Sequence, residues 1–244
     1  WERIKINQAY NLAYKIHRRT KRIDIYLSSS LSMNRRQPTH CIHTGKTEGS
    51  SVIHALNNSV CKEHYNFIFH NHDVKLKDIP NEHMVFFFLR DPCTSFVSSF
   101  YSRQRMGKPR YYQPWTDDEI IAFSIFDTPN SLTMAFSSDC SKLRQSAMNA
   151  MSSILHVKDG YLYWFTSHEY FLKRLTDIVF IGFQKNLRSD FESPEEKLIF
   201  PHEVQLSNDK TISHRMPETV DRQLSHEAIK IRKISIDQTI CSLT

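Results

Sequence analysis

The pattern of apolar and polar residues along the chain predicts short strands that alternate with amphipathic helices. Three apolar runs rich in Phe, Val and Ile are typical of strands that are buried on both faces of a parallel sheet. They lie at 65–70, 84–89 and 178–183, and shorter β-like runs lie at 22–27 and 39–43.

Helices are predicted where apolar residues recur at a spacing of three or four residues. Asp91 and Pro92 mark one start, because Asp caps free N–H groups and Pro fits the first helical position. Strands that alternate with helices predict an α/β fold, with three α/β/α layers around a central parallel sheet. The predicted helices are 2–18, 50–60, 92–106, 141–155, 167–175 and 225–237, with loops and short helices over 108–138.

Composition limits the class of protein. The 244 residues are 40% hydrophobic and 12% aromatic, which is enough for a core and excludes disordered and fibrous classes. No run of about 18 apolar residues is present, so we expect no transmembrane segment. The length suits one or two domains, and we expect a single domain over 1–244.

Charge and cysteine usage indicate what the protein binds and where it works. The net charge of +6 suits an anionic ligand, but no zinc-finger, RRM or basic-zipper pattern predicts binding to nucleic acid. The five cysteines are scattered and contain no CxxC pair, so they predict neither a disulfide framework nor a cysteine zinc site. They favour a reducing compartment, and we expect a bacterial cytoplasm.

Two of only five glycines lie in one loop, between the predicted strand 39–43 and the predicted helix 50–60. Backbone N–H groups at a helix N-terminus bind anions together with the helix dipole, and glycine lets the backbone approach a phosphate. Lys46 adds a charge, and neighbouring hydroxyls add donors. The candidate anion-binding residues are Gly45, Lys46, Thr47, Glu48, Gly49, Ser50 and Ser51.

The Gly-Lys-Thr triplet at 45–47 is also typical of P-loop kinases. A Walker A motif requires a glycine at position 40, which is His40 in this chain. No predicted strand ends in an aspartate that would hold Mg²⁺. Two features that a P-loop kinase needs are therefore missing. A degenerate P-loop kinase and an ordinary strand-to-helix turn are kept as alternatives.

A second candidate anion site follows the apolar strand 84–89. Arg90 comes directly after this strand, and ligands of open α/β sheets bind at the carboxyl ends of strands. Ser98 lies two helical turns further on, so a guanidinium and a hydroxyl could bind one anion. A structural ion pair of Arg90 with Asp91 is the alternative. Two anion sites on neighbouring strand ends suit a ligand with two separate phosphate groups.

The two segments, in this order and spacing, resemble the PAPS-dependent sulfotransferases of the carbohydrate branch, which includes Golgi-type enzymes and bacterial homologues. These enzymes carry an HxPKTxGTS-like loop, which is His-Thr-Gly-Lys-Thr-Glu-Gly-Ser-Ser at 43–51, and an RDPxxRFxS-like element, which lies at 90–98. The resemblance covers 38–106 and extends more weakly over 178–191 and 224–237.

This chain departs from the family pattern at two positions. Gly45 stands where proline is usual, which loosens the loop. Ser95 stands where a second arginine is usual, which puts a structural or acidic-substrate contact in doubt.

The resemblance implies a P-loop NTPase-like sulfotransferase fold and the transfer of a sulfuryl group from PAPS to a hydroxyl, on a carbohydrate. It implies that residues 45–51 bind the 5′-phosphosulfate and that Arg90 and Ser98 bind the 3′-phosphate. PAP is then the product, and no metal is required. A Golgi lumen is the alternative location if an N-terminal anchor has been removed. The implied segments are a lead-in (1–37), a PAPS-binding core (38–106) and an acceptor side (107–244).

The acceptor hydroxyl must lose a proton, so the transfer needs a general base near the strand ends. His70 and His72 follow an apolar strand and open at its carboxyl end. Similarity to a Gly-His pair of the family makes His72 the first choice and His70 the second, while Lys46 stabilises charge on the donor phosphate. Glu48 is a poorer base, because the phosphate repels it. The alternatives for these two residues are ordinary loop histidines and a His-x-His metal site. The alternative for the whole protein is a non-catalytic protein that binds PAP or a polyanion.

Overall fold

The computed structural model describes residues 38–47, 49–58, 66–109, 111–187, 206 and 220–231. The described chain divides into two compact units. The sheet unit takes its described residues from 38–90 and 161–206, and the helical unit takes them from 91–160 and 220–231. The predicted helix 2–18 and strand 22–27 lie outside the described residues, and the single domain expected over 1–244 stays a prediction.

Four parallel strands form the centre of the sheet unit. They are β1 (Pro38–Ile42), β2 (Asn66–Phe69), β3 (Met84–Leu89) and β4 (Ile178–Phe183). Their order across the sheet is β2-β1-β3-β4, and each neighbouring pair is parallel. The prediction of a parallel α/β sheet is therefore confirmed, and β3 and β4 begin and end at the predicted residues.

The helices follow the predicted positions with one addition. In chain order they are α1 (Gly49–Asn57), α2 (Pro92–Gln104), α3 (Asp117–Ile125), α4 (Pro129–Met134), α5 (Ser141–Ser153), α6 (Tyr161–Phe165) and α7 (His168–Lys173), and 226–231 is also helical. Short 3₁₀ turns cover Leu76–Asp78, Ala135–Ser137, Leu175–Asp177 and Gln184–Asn186. The sequence pattern does not predict α6, because its five residues are too few to display a helical period.

Single polar residues mark where several helices begin. Asp91 caps α2, since its carboxylate accepts the N–H of Thr94 at 2.9 Å, as the Asp-Pro pair predicts. Thr116 and Thr128 cap α3 and α4 in the same way. Gly107, with φ of 82°, follows the end of α2 in a left-handed conformation that glycine adopts without strain. Local sequence therefore determines these helix bounds.

Helices cover both faces of the sheet. Successive side chains of β3 point to opposite faces, so Phe86 and Phe88 share a core cluster with Leu56 of α1. On the other face, Phe87 packs against Phe165 of α6, with ring centroids 4.6 Å apart. Burial of each such side chain contributes about 1.5–3 kcal/mol. The sheet unit is thus an α/β structure with a helix layer on each face.

A buried ion pair joins α2 to α3 in the helical unit. Arg103 Nε donates to Glu119 Oε1 at 2.8 Å, and neither side chain is exposed to solvent. The carboxylate also accepts the N–H of Leu155 at 3.0 Å, and the guanidinium donates to the carbonyls of Gln113 and Pro114. Burial alone would raise the pKa of Glu119, but hydrogen bonds from Arg103 and from backbone N–H groups hold this pKa below its usual range. Glu119 is therefore ionised in the folded protein near pH 7.

We expect Glu119→Gln to lower the free energy of unfolding by about 3 kcal/mol, because it leaves the Arg103 guanidinium buried without its charge partner. Urea unfolding at pH 7 measures this difference. Asp118→Asn removes the exposed neighbouring carboxylate on α3 and is the matched control. This substitution should lower the free energy of unfolding by less than about 1 kcal/mol. Equal decreases for the two variants would contradict the stabilising role of the ion pair between Arg103 and Glu119.

The difference between wild type and Glu119→Gln should also depend on pH. A carboxylate whose pKa is lowered by folding stabilises the protein above its unfolded-state pKa, which is about 4.3 for Glu. This contribution is lost as the pH falls through the lower pKa of the folded state. The two free energies of unfolding should therefore converge in acid, and a difference that stays constant down to about pH 2 would argue against the ion pair.

Candidate functional site

Buried hydroxyl groups tie the loop between β1 and α1 to the neighbouring strand. The Thr44 hydroxyl donates to the carbonyl of Phe88, on β3, at 2.5 Å. The Thr47 hydroxyl donates to the Thr44 carbonyl at 3.0 Å, and both threonines are buried. The Thr47 hydroxyl, which is predicted to bind an anion, therefore shapes the loop in this structure.

Lys46, rather than either glycine of the loop, has a left-handed backbone, with φ of 60°. This conformation costs a non-glycine residue about 1–2 kcal/mol. A left-handed residue turns successive backbone N–H groups toward one point, as in anion-binding nests. Helix α1 begins at Gly49, and the first N–H groups of a helix have no partner within it. The loop therefore combines a lysine, backbone donors and the positive end of a helix dipole.

Close packing explains both glycines of the loop. A Cβ atom at Gly49 would lie 2.5 Å from Cδ2 of His43, so only glycine lets this imidazole approach the start of α1. A Cβ atom at Gly45 would lie 3.2 Å from the Trp164 ring, which is a tight contact. The sequence suggests glycines that admit a phosphate, whereas in the structure they admit aromatic side chains.

Arg90 meets the loop at the carboxyl end of β3. Its guanidinium Nη1 donates to the Lys46 carbonyl at 3.2 Å. The Arg90 backbone is held by Tyr161 of α6, whose hydroxyl accepts the Arg90 N–H at 2.7 Å and donates to the Arg90 carbonyl at 2.5 Å. The structure thus brings together the two predicted cationic residues of the sheet unit, Lys46 and Arg90.

The other predicted anion contacts lie on helices. In the first turn of α1, Ser50 is half-buried and Ser51 is buried. Ser98 is half-buried on α2, in the helical unit, and its pairing with Arg90 stays a prediction. Glu48 lies outside the described residues.

His72 lies beside the loop. Its imidazole packs on that of His43, with ring centroids 3.9 Å apart, and its Nδ1–H donates to the His43 carbonyl at 2.9 Å. A neutral imidazole has one donor and one acceptor nitrogen, so Nε2 of His72 carries the lone pair. The Trp164 indole N–H donates to the His72 carbonyl at 2.8 Å and holds this backbone in place. An exposed imidazole whose orientation is fixed in this way can act as a general base.

His70, the second choice for the base, points into the sheet unit instead. Its Nε2 lies 2.8 Å from Nδ1 of His40, on β1, and the planes of the two rings are nearly parallel, at 10°. Burial lowers the pKa of His70, and the negative charge of Asp73 partly offsets this shift. The two histidines of the His-x-His segment therefore have different surroundings, although they are only two residues apart.

Sequence reasoning misses four residues that build the site, which are His40, His43, Tyr161 and Trp164. His43 lies in the loop at 43–51, but its ring contacts depend on a glycine six residues later. Tyr161 and Trp164 lie in α6 and reach the site from more than 70 residues away along the chain. The cluster of aromatic residues over 161–165 is the signal that could have drawn attention to them.

Comparisons with known proteins identify no family for this chain. A scan against protein-family models, a search of curated proteins and a search of solved structures each found no significant match. Within the described ranges, no group of three or more His, Cys, Asp or Glu side chains is arranged to hold a metal ion. None of the helices over those same residues is long and apolar enough to cross a membrane.

We expect Gly49→Ala to destabilise the protein by about 1–3 kcal/mol, because the new methyl group overlaps the His43 ring. The higher helix propensity of alanine opposes this effect only in part. Gly160→Ala is the matched control, since no atom lies within 4 Å of its added Cβ. Thermal unfolding measures both variants, and a Gly49→Ala protein as stable as Gly160→Ala would contradict the close packing of His43.

Proposed function

We propose that this protein is a PAPS-dependent sulfotransferase that moves a sulfuryl group from PAPS to a hydroxyl of a carbohydrate acceptor. The observation that carries the proposal is the hydrogen bond from the Arg90 guanidinium to the Lys46 carbonyl. The loop follows β1 and Arg90 follows β3, so both lie at the carboxyl ends of adjacent parallel strands. Open α/β sheets bind their ligands at these ends.

The donor has two anionic ends, and each end binds a different cationic side chain. Residues 45–51 bind the 5′-phosphosulfate with backbone N–H groups, and Lys46 neutralises charge that develops on the oxygen between sulfur and phosphorus. Arg90, together with Ser98, binds the 3′-phosphate through its fork of N–H donors. Since two side chains supply the positive charge, the proposed reaction requires no metal.

His72 is the proposed general base. Its Nδ1 donates to the His43 carbonyl, and the other ring nitrogen, Nε2, takes the proton of the acceptor hydroxyl. The hydroxyl oxygen forms a bond to sulfur, the bond from sulfur to the bridging oxygen breaks, and PAP leaves. His72 then returns its proton to water.

The acceptor and the compartment are part of the same proposal. A glycan is proposed because the family branch that the chain resembles acts on carbohydrates. The scattered cysteines favour a bacterial cytoplasm, and a Golgi lumen is the alternative.

We expect Lys46→Met and Arg90→Gln each to weaken PAP binding by at least about tenfold, which corresponds to about 1.4 kcal/mol, because each removes one charge from a phosphate site. Isothermal titration calorimetry measures the Kd. Lys77→Gln removes an exposed lysine of the sheet unit and should change the Kd by less than about twofold. Lys46→Gly removes the charge and also relieves the strain of the left-handed backbone. If this variant is as stable as wild type and still binds PAP weakly, the loss of affinity comes from the missing charge and not from a destabilised fold.

Thermal unfolding with each ligand distinguishes the alternatives. PAP should raise the Tm of the wild-type protein more than ATP with Mg²⁺ does, because a ligand that binds the folded state stabilises it. The opposite order would favour a kinase. Unchanged affinity for PAP in Lys46→Met or in Arg90→Gln would remove that residue from the donor site.

We expect His72→Gln to lower the turnover number by about 10²-fold or more, since general-base catalysis contributes that much, while the Kd for PAP stays the same. Transfer of label from PAPS to a panel of oligosaccharides measures turnover. His54→Gln removes an exposed histidine of α1 and is the matched control. A loss of turnover in His70→Gln but not in His72→Gln would reassign the base, and PAP binding without any transfer would indicate a non-catalytic binding protein.

A further inference from the structure

Three imidazoles are linked end to end across one face of the sheet. His40, on β1, is only 6% exposed. Its Nδ1 lies 2.8 Å from Nε2 of His70, and its Nε2 lies 3.0 Å from Nδ1 of His83. The His40 ring is nearly parallel to that of His70, at 10°, and tilted by 32° from that of His83. We call His70, His40 and His83 the histidine chain.

Strand register explains why the three rings meet. His40 is paired with Ile68 on β2 and with Val85 on β3. His70 lies two residues after Ile68, and His83 lies two residues before Val85, so all three side chains emerge on the same face. The histidine chain therefore runs diagonally across three strands. It begins at the carboxyl end of β2 and finishes at the amino end of β3.

The two hydrogen bonds between the rings limit the number of protons that the histidine chain can hold. A neutral imidazole has one N–H donor and one acceptor nitrogen. Both nitrogens of His40 are bonded, so the two bonds must point in the same direction along the chain when all three rings are neutral. Each of the two bonds holds one proton, and the outer nitrogens of His70 and His83 hold at most one each. With both bonds intact, the chain therefore accepts no more than one proton beyond its neutral state.

The surroundings disfavour that extra proton on the central ring, His40. Burial, together with His70, His83 and the buried Arg174 guanidinium, lowers the pKa of His40 to about 4. Arg174 itself is held by hydrogen bonds to Asp177 and Tyr170. Burial lowers the pKa of His70 as well, and the negative charge of Asp73 offsets part of this shift. His70 and His83 are both only partly buried, so each end can exchange protons with its surroundings.

We propose that the histidine chain is a one-proton shuttle between the two ends of the sheet. A proton that binds Nδ1 of His70 displaces the Nε2 proton of that ring to Nδ1 of His40. The Nε2 proton of His40 then passes to Nδ1 of His83, and Nε2 of His83 releases its proton to water. The reverse transfer restores the starting direction of the bonds, so the shuttle holds a proton transiently and needs no redox partner.

In the proposed reaction, the histidine chain could receive the proton that the acceptor hydroxyl releases. His72 returns the proton of the acceptor hydroxyl to water, and His70, two residues away along the chain, is the end of the histidine chain that would take it up from there. This use rests on the proposed function, whereas the one-proton limit rests on the geometry of the three rings alone.

NMR titration of the ¹⁵N-labelled imidazoles in the full chain tests the one-proton limit. In wild type, His70 and His83 should share a first proton, and the second should bind at a pH lower by at least about one unit, because coupled sites titrate in separate macroscopic steps. In His40→Gln, which cannot pass a proton, both rings should titrate independently. His83→Gln provides the same test if His40→Gln does not fold, since His70 should then titrate in a single step. His54→Gln is the control and should leave both steps unchanged.

Two results would overturn the shuttle. One is full protonation of His70 and His83 in wild type at the same pH, within about half a unit. The other is a His70 titration in His83→Gln that is identical to wild type.

A transfer assay tests how the shuttle is used. In His83→Gln, turnover should fall severalfold at an unchanged Kd for PAP, and added imidazole should restore it, which a purely structural role of His83 would not allow. If the wild type transfers sulfate and His83→Gln does so at the same rate, the use of the shuttle in the reaction is overturned. If the wild type transfers no sulfate, the proposed function and this use fail together, while the NMR titration decides on the shuttle itself.

Discussion

The candidate site depends on one buried hydrogen bond, from the Thr44 hydroxyl to the Phe88 carbonyl. This bond joins the loop that follows β1 to the end of β3, and the parallel register places both strand ends at the same end of the sheet. A buried hydroxyl that lost its partner would destabilise the folded protein by about 1–3 kcal/mol. This free energy opposes separation of the loop from β3. Lys46 and Arg90 each lie two residues beyond this bond, and their own contact follows from it.

Strand register and loop contacts also sort the histidines into two groups. His40 and His70 belong to the chain of rings on the sheet face, where burial lowers the pKa of both. His43 and His72 stack at the loop, where a carbonyl fixes the tautomer of His72. His70 and His72 are therefore neighbours in sequence with different surroundings: His70 is hydrogen-bonded to another imidazole, and His72 donates to a backbone carbonyl.

The strands and the position of the loop could be predicted from the sequence, because β3 and β4 are wholly apolar runs and glycines are rare elsewhere. The contacts of Tyr161 and Trp164 could not, since α6 is too short to display a period and reaches the site only through tertiary packing. The histidine chain is hidden for another reason. His40 lies on β1, His70 directly follows β2 and His83 directly precedes β3, so their meeting becomes evident only once the register of β1 with both neighbours is known.

The conformation of Lys46 bears on why the loop is built as it is. Glycine at this position would remove about 1–2 kcal/mol of backbone strain, yet the chain places a cation there and uses its glycines on either side for packing. Such strain persists where the surrounding structure over-determines the backbone, and it clusters at ligand-binding sites. The buried hydroxyls of Thr44 and Thr47 supply that constraint. Because these bonds already hold the loop in shape, the proposed binding of an anion would need little further ordering of the backbone.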